Sequence, residues 1–365
     1  MSHATTVLTN FARGAINILE KRNLLGLAWP GLTDFFTELG EPEFRARQLM
    51  EWVYGQGISD FEQMTNFSKP LRSKLAEQAV IGIGQVAVRQ VATDGTVKLA
   101  IKFPDGATVE CVILRYHYGA TLCLSSQVGC KMGCAFCASG LSGFARHLTA
   151  AEMVEQLWVA NQELAPVNER IGHLVYMGMG EPLDNLEEVL ASIRLANNPL
   201  GFNIGIRNIT VSTSGMVDQI DQLAAENLPI TLSISLHAPV DYLRDQIMPI
   251  NRRYPLGQLI PAAWRYVVAT NRRVTFEYVL LSGLNDQQIH AEQLADLLRG
   301  LLCNVNLIPY NPVSGLPWEA PSEQKVQAFA DSLTARGVKT TIRRELGPEI
   351  EAACGQLRRR LQGEE

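Results

Sequence analysis

Hydrophobic residues follow a helical period over the first part of the chain. In EPEFRARQLMEWVYGQG, Phe44, Leu49, Trp52 and Val53 lie at helix-like spacing. A second helical pattern, KPLRSKLAEQ, has a proline in its first turn, where proline is well tolerated. The sequence therefore predicts a small helical domain over residues 1–84.

The hydrophobic period changes to two between residues 85 and 118. Apolar residues alternate with more polar ones from Val97 to Phe103. The stretches TDGT and PDGA contain Asp-Gly pairs, which favour tight hairpin turns. This pattern predicts a β-hairpin or meander extension over residues 85–118.

Beyond Gly119, short apolar runs alternate with longer helical patterns. Helices such as LTAAEMVEQLWVANQ, which begins with a capping box of Thr149 and Glu152, separate the runs. The strand candidates are TLCLSS, HLVYMG, NITVST, ITLSISLH, VTFEYVLL and NVNLIPY. Six such units predict an α/β fold over residues 119–345, with a parallel sheet arranged as a partial barrel, a full barrel or a doubly wound sheet.

Polar or glycine-rich residues recur where the predicted strands end. In a parallel α/β sheet the carboxyl ends of the strands form the active-site face, so these residues should converge there. They are Cys130, Gly178 to Glu181, Ser212 to Gly215, Ser235, His237 and Asn311.

Composition and charge narrow the class of protein. The 365 residues are 47% hydrophobic, and they contain no apolar run long enough to span a bilayer. The start of the chain also lacks a signal-peptide pattern. We therefore expect a cytoplasmic protein. A net charge of −5 provides no general attraction for nucleic acid, so any RNA binding must come from local basic clusters. Seven cysteines, an odd number, indicate reduced thiols rather than a disulfide framework.

Three of those cysteines lie in QVGCKMGCAFCASG, at positions 130, 134 and 137. A zinc site is usually closed by four protein ligands, and the only neighbouring candidate for the fourth is His147. Buried core cysteines are a further alternative. Three thiolates fit a [4Fe–4S] cluster best, because one iron then stays open to another ligand.

This loop resembles that of the radical S-adenosylmethionine (SAM) superfamily, since it follows the first barrel strand and has Phe136 before its last cysteine. The resemblance implies a partial (β/α)6 TIM-like barrel, a [4Fe–4S] cluster on the three cysteines, and SAM bound to the fourth iron and cleaved to a 5′-deoxyadenosyl radical. In MGMGEP, Gly180 and Glu181 would meet the SAM ammonium group. The resemblance assigns further residues to the SAM site: Ser212, Ser235, Leu236, His237 and Asn311. Taken alone, each of these is a common strand-end residue.

Two further cysteines narrow the resemblance. Cys123 lies in ATLCLSSQVGC and Cys354 in EIEAACGQL. Together with MGMGEPL, ISLHAP, IMPINRRYPL, NLIPYNP and EFRARQLMEWVYGQG, these stretches resemble the RlmN/Cfr family of RNA adenosine methyltransferases over nearly the whole chain. The resemblance implies an N-terminal helical accessory domain and a C-terminal segment, residues 346–365, that carries a methyl-accepting Cys354.

The resemblance also implies a mechanism, because the electron-poor C2 carbon of adenine cannot attack SAM as a nucleophile. One SAM methylates Cys354, and a second supplies the radical that activates this methyl group for addition to adenine. Glu110 then removes the ring proton, and Cys123 attacks the Cys354 sulfur, which leaves a transient disulfide. For Glu110 the alternative is a surface residue of a strand. The GEPL stretch that starts at Gly180 is similar to the branch that methylates C2, and C8 methylation of the same adenosine is the alternative.

The implied partners are 23S ribosomal RNA, transfer RNA and an electron donor such as flavodoxin or ferredoxin, with no membrane. Arginine pairs offer phosphate contacts, and we favour Arg343 and Arg344 because they precede the segment that bears Cys354. The other candidates are Arg252, Arg253, Arg272, Arg273 and Arg358 to Arg360. The alternative from another class of protein is a non-catalytic RNA-binding module with a structural metal.

Overall fold

The computed structural model of the protein describes residues 21–141 and 143–357, and its first part is a group of short helices. The helices are α1 (Trp29–Glu38), α2 (Phe44–Met50) and α3 (Lys69–Gln78), and a two-stranded parallel sheet pairs β1 (Arg22–Asn23) with β2 (Ala79–Val80). Ser68 caps α3 through its hydroxyl, which accepts from Leu71 N. Phe36 and Leu75 are buried between the helices. The helical pattern is thus confirmed within residues 21–84.

The predicted meander follows as three antiparallel strands. They are β3 (Gln85–Val91), β4 (Val97–Lys102) and β5 (Thr108–Tyr116). Gly95 and Gly106 adopt φ values of +83° and +86° in the two turns, a conformation that glycine accepts without strain. Since β5 pairs with β6 (Gly119–Cys123), the meander continues the main sheet instead of forming a separate layer.

The cysteine-rich stretch after β6 forms a small hairpin that the sequence pattern did not predict. Strand β7 (Gln127–Gly129) pairs with β8 (Phe144–His147), and the short helix α4 (Ala138–Leu141) lies between them. Gly129 has a φ of +77°, and a side chain there would collide with the carbonyl oxygen of Gly143. The hairpin therefore holds both ends of the cysteine loop.

The parallel part of the sheet starts at β6 and follows chain order. Its further strands are β9 (Ile171–Tyr176), β10 (Ile209–Thr213), β11 (Thr231–Ser235), β12 (Val274–Leu280), β13 (Cys303–Pro309) and a short β14 (Thr340–Ile342). The intervening helices are α5 (Ala150–Leu164), α6 (Leu186–Asn197), α7 (Val217–Ala225), α8 (Asp241–Ile247), α9 (Leu256–Thr270), α10 (Gln288–Leu297) and α11 (Glu323–Ala335).

This topology decides between the three predicted arrangements. A doubly wound sheet reverses its strand order at one point, and no reversal occurs among the strands described here. Strands β3 and β14 are the two edges of the ten-stranded sheet, so the barrel is not closed. The partial barrel with a helical N-terminal part is confirmed.

The helical domain packs on the barrel through α5. Gln162 Nε2 donates to Gly57 O at 3.0 Å, and Trp158 Nε1 donates to Val53 O at 3.4 Å. Gly84, which joins the helical domain to the meander, donates its N–H to Glu155 Oε1 at 2.7 Å. Burial raises the pKa of Glu155 to about 7, although the backbone donors oppose the shift.

Glu155→Gln should remove a pH-dependent contribution to stability. Because the folded-state pKa of Glu155 lies above its ordinary value of 4.5, its contribution is fully present below pH 4.5 and is lost as the pH rises through about 7. Between these limits the free energy of unfolding of the natural protein should fall relative to that of the variant, by about 1.4 kcal/mol per pH unit.

Denaturant unfolding at pH 5, 6, 7 and 8 measures this difference. The control Glu77→Gln, at an exposed position of α3, should change stability by less than about 0.5 kcal/mol at every pH. A difference between Glu155→Gln and the natural protein that stays constant with pH would contradict the assignment.

Candidate active site

Three thiols line one wall of a cavity of about 160 Å³ at the carboxyl ends of the strands. They belong to Cys130, Cys134 and Cys137, and each is partly buried. Two backbone contacts hold the loop between them, since Ala135 N donates to Ile247 O at 2.9 Å and Ala135 O accepts from Trp318 Nε1 at 2.8 Å. Burial raises the pKa of all three thiols, and the neighbouring thiols raise that of Cys134 further.

The thiols suit a group larger than one metal ion. Across residues 21–141 and 143–357, no three His, Cys, Asp or Glu side chains are arranged to hold a single ion. His147 does not line the cavity, and its Nδ1 lies 3.1 Å from Gln127 Nε2. The alternative of a zinc site therefore lacks its fourth ligand. The three sulfur atoms are soft donors, and buried thiols ionise only beside a positive group. They fit a [4Fe–4S] cluster, because a cluster spaces its ligands more widely than a single ion does.

Glycines and a buried carboxylate form the cavity wall after β9. A side chain on Gly178 would lie 2.7 Å from Leu124 O, and Gly180 has a φ of +104°. Glu181, only 3% exposed, accepts from Leu183 N at 3.0 Å and from Ser214 N at 2.6 Å. Burial raises the pKa of Glu181 and these bonds oppose the shift. Its carboxylate retains lone pairs for an ammonium group.

The remaining predicted SAM residues divide between two places. Ser212, Ser235 and His237 line the same cavity as the three thiols. Leu236 is buried beside it, with its N–H donating to Glu277 O at 3.0 Å. Asn311 does not line this cavity, and its Nδ2 donates to Cys354 O at 3.0 Å in the neighbouring one.

His237 is held as a neutral ring. Its backbone φ is +56°, and its Nδ1 accepts from Val279 N at 2.9 Å, so the ring hydrogen lies on Nε2. Burial and the nearby Arg244 lower the pKa of His237 to about 3. The ring packs edge-on against Phe136 with centroids 4.8 Å apart, which ties the cysteine loop to β11.

Arg244 is a site residue that the sequence analysis missed. Its guanidinium is 0% exposed and binds the ends of two strands, donating to Ser214 O at 2.6 Å, Leu236 O at 3.0 Å and Ser235 O at 3.1 Å. A further bond goes to Asn251 Oδ1 at 2.9 Å. Burial lowers the pKa of Arg244 to about 10, so it remains a cation at neutral pH.

Glu277 on β12 is a second site residue that the sequence analysis did not predict. Its Oε1 accepts from Ser233 Oγ at 2.7 Å and from Asn306 Nδ2 at 3.1 Å. Its Oε2 lies 3.9 Å from Arg343 Nη1, and the side chain lines the cavity of the three thiols. A charged residue inside the otherwise apolar run VTFEYVLL was the sequence signal for it.

A second cavity of about 390 Å³ brings together the two remaining predicted cysteines. Cys123 at the end of β6 and Cys354 both line it, and Cys354 also lines the first cavity. The pKa of Cys123 is raised to about 12, chiefly by burial and also by the Cys354 thiol, while Arg343 acts in the opposite direction. Arg343 lines both cavities together with Cys354, and the Cys354 thiol is the largest cause of the raised pKa of Arg343.

Hydrogen bonds from three parts of the barrel hold the segment that carries Cys354. Gly355 O accepts from Ala138 N at 2.8 Å, beside the cysteine loop. Gln356 Nε2 donates to Pro312 O at 2.9 Å, and Gly347 N donates to Asp94 Oδ2 at 3.0 Å. The segment thus spans from the β3–β4 turn to the cysteine loop.

Glu110 is buried, not a surface residue of its strand. It is 2% exposed and its Oε1 lies 3.7 Å from Lys98 Nζ, which in turn donates to Glu351 O at 3.3 Å. Glu110 lines neither cavity. Its face of β5 also carries Val112, which pairs with Cys123, so the carboxylate and that thiol lie on the same face of the sheet.

The arginine candidates differ in exposure. Arg344 is exposed at the second cavity, whereas Arg343 lies inside it. Arg252, Arg253 and Arg273 are exposed, and Arg272 donates to Ile230 O at 3.3 Å. Arg358 to Arg360 lie outside the described residues. RNA contacts at these positions remain predictions.

Known proteins match nearly the whole length of the chain. Residues 22–81 match the ribosomal RNA large subunit methyltransferase N-terminal domain, and residues 124–295 match the radical SAM superfamily. A protein of Desulforamulus reducens named "probable dual-specificity RNA methyltransferase RlmN" is 47% identical over 344 residues, which cover 94% of this chain and 97% of that protein. A protein of Geobacillus thermodenitrificans with the same name is 44% identical and covers 99% of both chains.

Among solved structures, the crystal structure of a radical SAM methyltransferase from Sphaerobacter thermophilus matches with a TM-score of 0.90. It is 44% identical and covers 92% of this chain and 99% of that chain. Within the described residues, no helix is both long enough and apolar enough to span a membrane.

Arg244→Lys should loosen the strand ends around the first cavity. A lysine ammonium cannot reach the four carbonyl and amide oxygens at once, so buried acceptors lose their donors. We expect the free energy of unfolding to fall by about 3 kcal/mol or more, measured by denaturant unfolding. The control Arg265→Lys alters an exposed ion pair with Asp221 and should cost less than about 1 kcal/mol. Equal stability of the two variants would show that the Arg244 network is dispensable.

Proposed function

Because the chain belongs to the RlmN family of radical SAM RNA methyltransferases, we propose that it methylates carbon 2 of adenosine 2503 in 23S ribosomal RNA and of the adenosine beside the anticodon of transfer RNA. The chain is therefore an enzyme, and the alternative of a non-catalytic RNA-binding module is wrong. The observation that carries the proposal is the position of Cys354, whose side chain borders both cavities while Cys123 borders the second.

The first cavity is the proposed cofactor site, and this family's cofactors are a [4Fe–4S] cluster and SAM. Cys130, Cys134 and Cys137 would hold the cluster. Gly180, Glu181 and the residues at the ends of β10 and β11 (Ser212, Ser235, Leu236, His237) would hold SAM. When bound, the two cofactors supply the methyl group and the 5′-deoxyadenosyl radical. Asn311, whose Nδ2 donates to Cys354 O, is also proposed to bind SAM.

Cys354 is the proposed methyl carrier. The Cys354 sulfur would lose its thiol proton and accept a methyl group from one SAM, and a second SAM would supply the radical that activates this methyl group. Arg343 lines the same two cavities as Cys354. Because Cys354 borders both cavities, its methyl group can be loaded on the cofactor side and delivered to adenine on the other.

Cys123 is the proposed resolving thiol. Once the methylene carbon has joined adenine and the ring proton has been removed, Cys123 loses its thiol proton and attacks the Cys354 sulfur, so that a disulfide forms. The bond from that sulfur to the methylene carbon breaks, and its electron pair passes to this carbon, which takes up a proton and becomes the methyl group. An alkylated Cys354 carries no charge and so no longer raises the pKa of Cys123, whereas Arg343 continues to lower it. Alkylation therefore removes one of the causes that raise the pKa of Cys123, while burial, the largest cause, remains.

Glu110 is the proposed base for the ring proton, since it is a carboxylate on the Cys123 face of the sheet. To reach adenine its side chain must turn away from Lys98, whose ammonium also holds Glu351 O. Proton removal by Glu110 would therefore require the Lys98–Glu110 ion pair to break.

The remaining parts of the chain have proposed roles as well. We propose a helical accessory domain over 1–84 that docks RNA, a meander over 85–118, a radical SAM core over 119–345 and a methyl-carrying segment over 346–365. Exposed Arg344 at the second cavity would contact RNA phosphate. An electron donor such as flavodoxin or ferredoxin would supply electrons, and the site of action would be the cytoplasm, where both RNAs occur.

The reconstituted protein, supplied with SAM, a reductant and either RNA, should form 2-methyladenosine. Chromatography and mass spectrometry of the nucleosides distinguish this product from 8-methyladenosine, which would favour the alternative. Cys354→Ala should bind the cluster but form no methylated nucleoside, since the acceptor thiol is missing. Product formation by Cys354→Ala would contradict the proposed carrier.

Cys123→Ala should trap the protein on its RNA. The variant retains Cys354 and Glu110, so addition to adenine proceeds, but no thiol is placed to release the product. Denaturing electrophoresis should show a nuclease-sensitive species of higher mass. This species should be absent from the Cys123→Ala, Cys354→Ala double variant. Free protein with normal turnover would show that Cys123 has only a packing role.

A further inference from the structure

The tight turn between β5 and β6 carries a column of aromatic rings. The rings of Tyr116 and Tyr118 are stacked, with centroids 5.0 Å apart and planes inclined by 11°. His117 and His173 each meet Tyr118 edge-on, at 5.1 Å and 4.8 Å between centroids. The four rings form one contiguous surface, which we call the aromatic column.

The aromatic column begins in the second cavity and ends in solvent. Tyr116 lines that cavity together with Cys123 and Cys354. Tyr118, stacked on the outer side of Tyr116, is 52% exposed. The column therefore presents an exposed aromatic ring that is continuous with the wall of the second cavity.

The turn holds the column in a fixed position. Tyr116 pairs with Gly119 across the hairpin, so only two residues form the turn. Gly119 has a φ of +121°, which glycine tolerates and other residues resist. The His173 ring, anchored on β9, supports Tyr118 from the barrel side. A preset ring loses little conformational freedom when a partner stacks on it.

We propose that Tyr118 is a stacking platform for a nucleotide next to the target adenosine of the RNA substrate. Bases of single-stranded RNA commonly stack on tyrosine and histidine rings. Such stacking does not depend on base identity, because every base has a π-face. It therefore suits an enzyme that accepts two RNAs of different sequence. The inference rests on the proposed function, in which the target adenosine enters the second cavity.

Variants of Tyr118 test the platform by RNA binding. The probes are an unmodified transfer RNA anticodon stem-loop and a 23S ribosomal RNA fragment that contains adenosine 2503. Tyr118→Ala should weaken binding of both by roughly 5- to 150-fold, the usual effect of removing one stacking ring. Tyr118→Phe keeps the ring and should bind close to the natural protein. Tyr242→Ala, at an exposed tyrosine that lines neither cavity, is the matched control and should bind unchanged.

Abasic RNA separates stacking from a structural effect. With the natural protein, removal of the base at one neighbour of the target adenosine should weaken binding by a similar factor. With Tyr118→Ala the same abasic RNA should bind no more weakly than intact RNA, because the stacking partner is already gone. Losses that multiply independently, or unchanged binding by Tyr118→Ala, would overturn the platform.

Two further readouts keep the outcomes distinct. If the natural protein forms no methyladenosine from either RNA, the proposed function fails, whatever the binding data show. If Tyr118→Ala binds RNA normally but slows turnover driven by flavodoxin and not by dithionite, the column is a docking site for the electron donor, and the RNA platform is wrong. SAM cleavage without RNA should be equal in all variants, which confirms an intact cofactor site.

Discussion

The open side of the barrel is closed by the segment that carries Cys354, and both cavities depend on that closure. The edge strands β3 and β14 do not pair with each other, and the segment that follows β14 makes contacts across the gap. Gly347 N reaches Asp94 in the β3–β4 turn, and Gly355 O reaches Ala138 beside the cysteine loop. The same contacts place Cys354, the proposed methyl carrier, where it lines both cavities.

Buried charges occur around this closure, and each is compensated in a different way. Arg244 is satisfied by carbonyl oxygens at the ends of β10 and β11, and Glu181 by two backbone N–H groups. Removing such groups from water costs several kcal/mol, which these bonds offset. Because the partners are mainly backbone atoms, the charges also fix the spacing of the strand ends. A site built from such fixed dipoles can receive charged cofactor groups without rearranging.

The local sequence pattern predicted the helices and strands well, but it did not predict which of their charged side chains are buried. The six strands and the meander were predicted because the spacing of apolar residues and the Asp-Gly turns are local properties of the sequence. Arg244 lies between Asp241 and Asp245, a pattern typical of a solvent-exposed helix, yet its guanidinium points into the strand ends. The β7–β8 hairpin was missed because its short strands lie among glycines and cysteines that carry no clear period.

By itself, the sequence determined the three-cysteine loop, the six β/α units and the meeting of their strand ends, because a parallel sheet brings all its carboxyl ends to one edge whatever the loops contain. The roles of Cys123 and Cys354 came only from a family resemblance. Their juxtaposition, the position of Asn311 beside Cys354 and the Lys98–Glu110 pair were decided by the tertiary structure. The physical reason is that these contacts form between distant parts of the chain, across a gap whose size and closure depend on the curvature of the whole sheet.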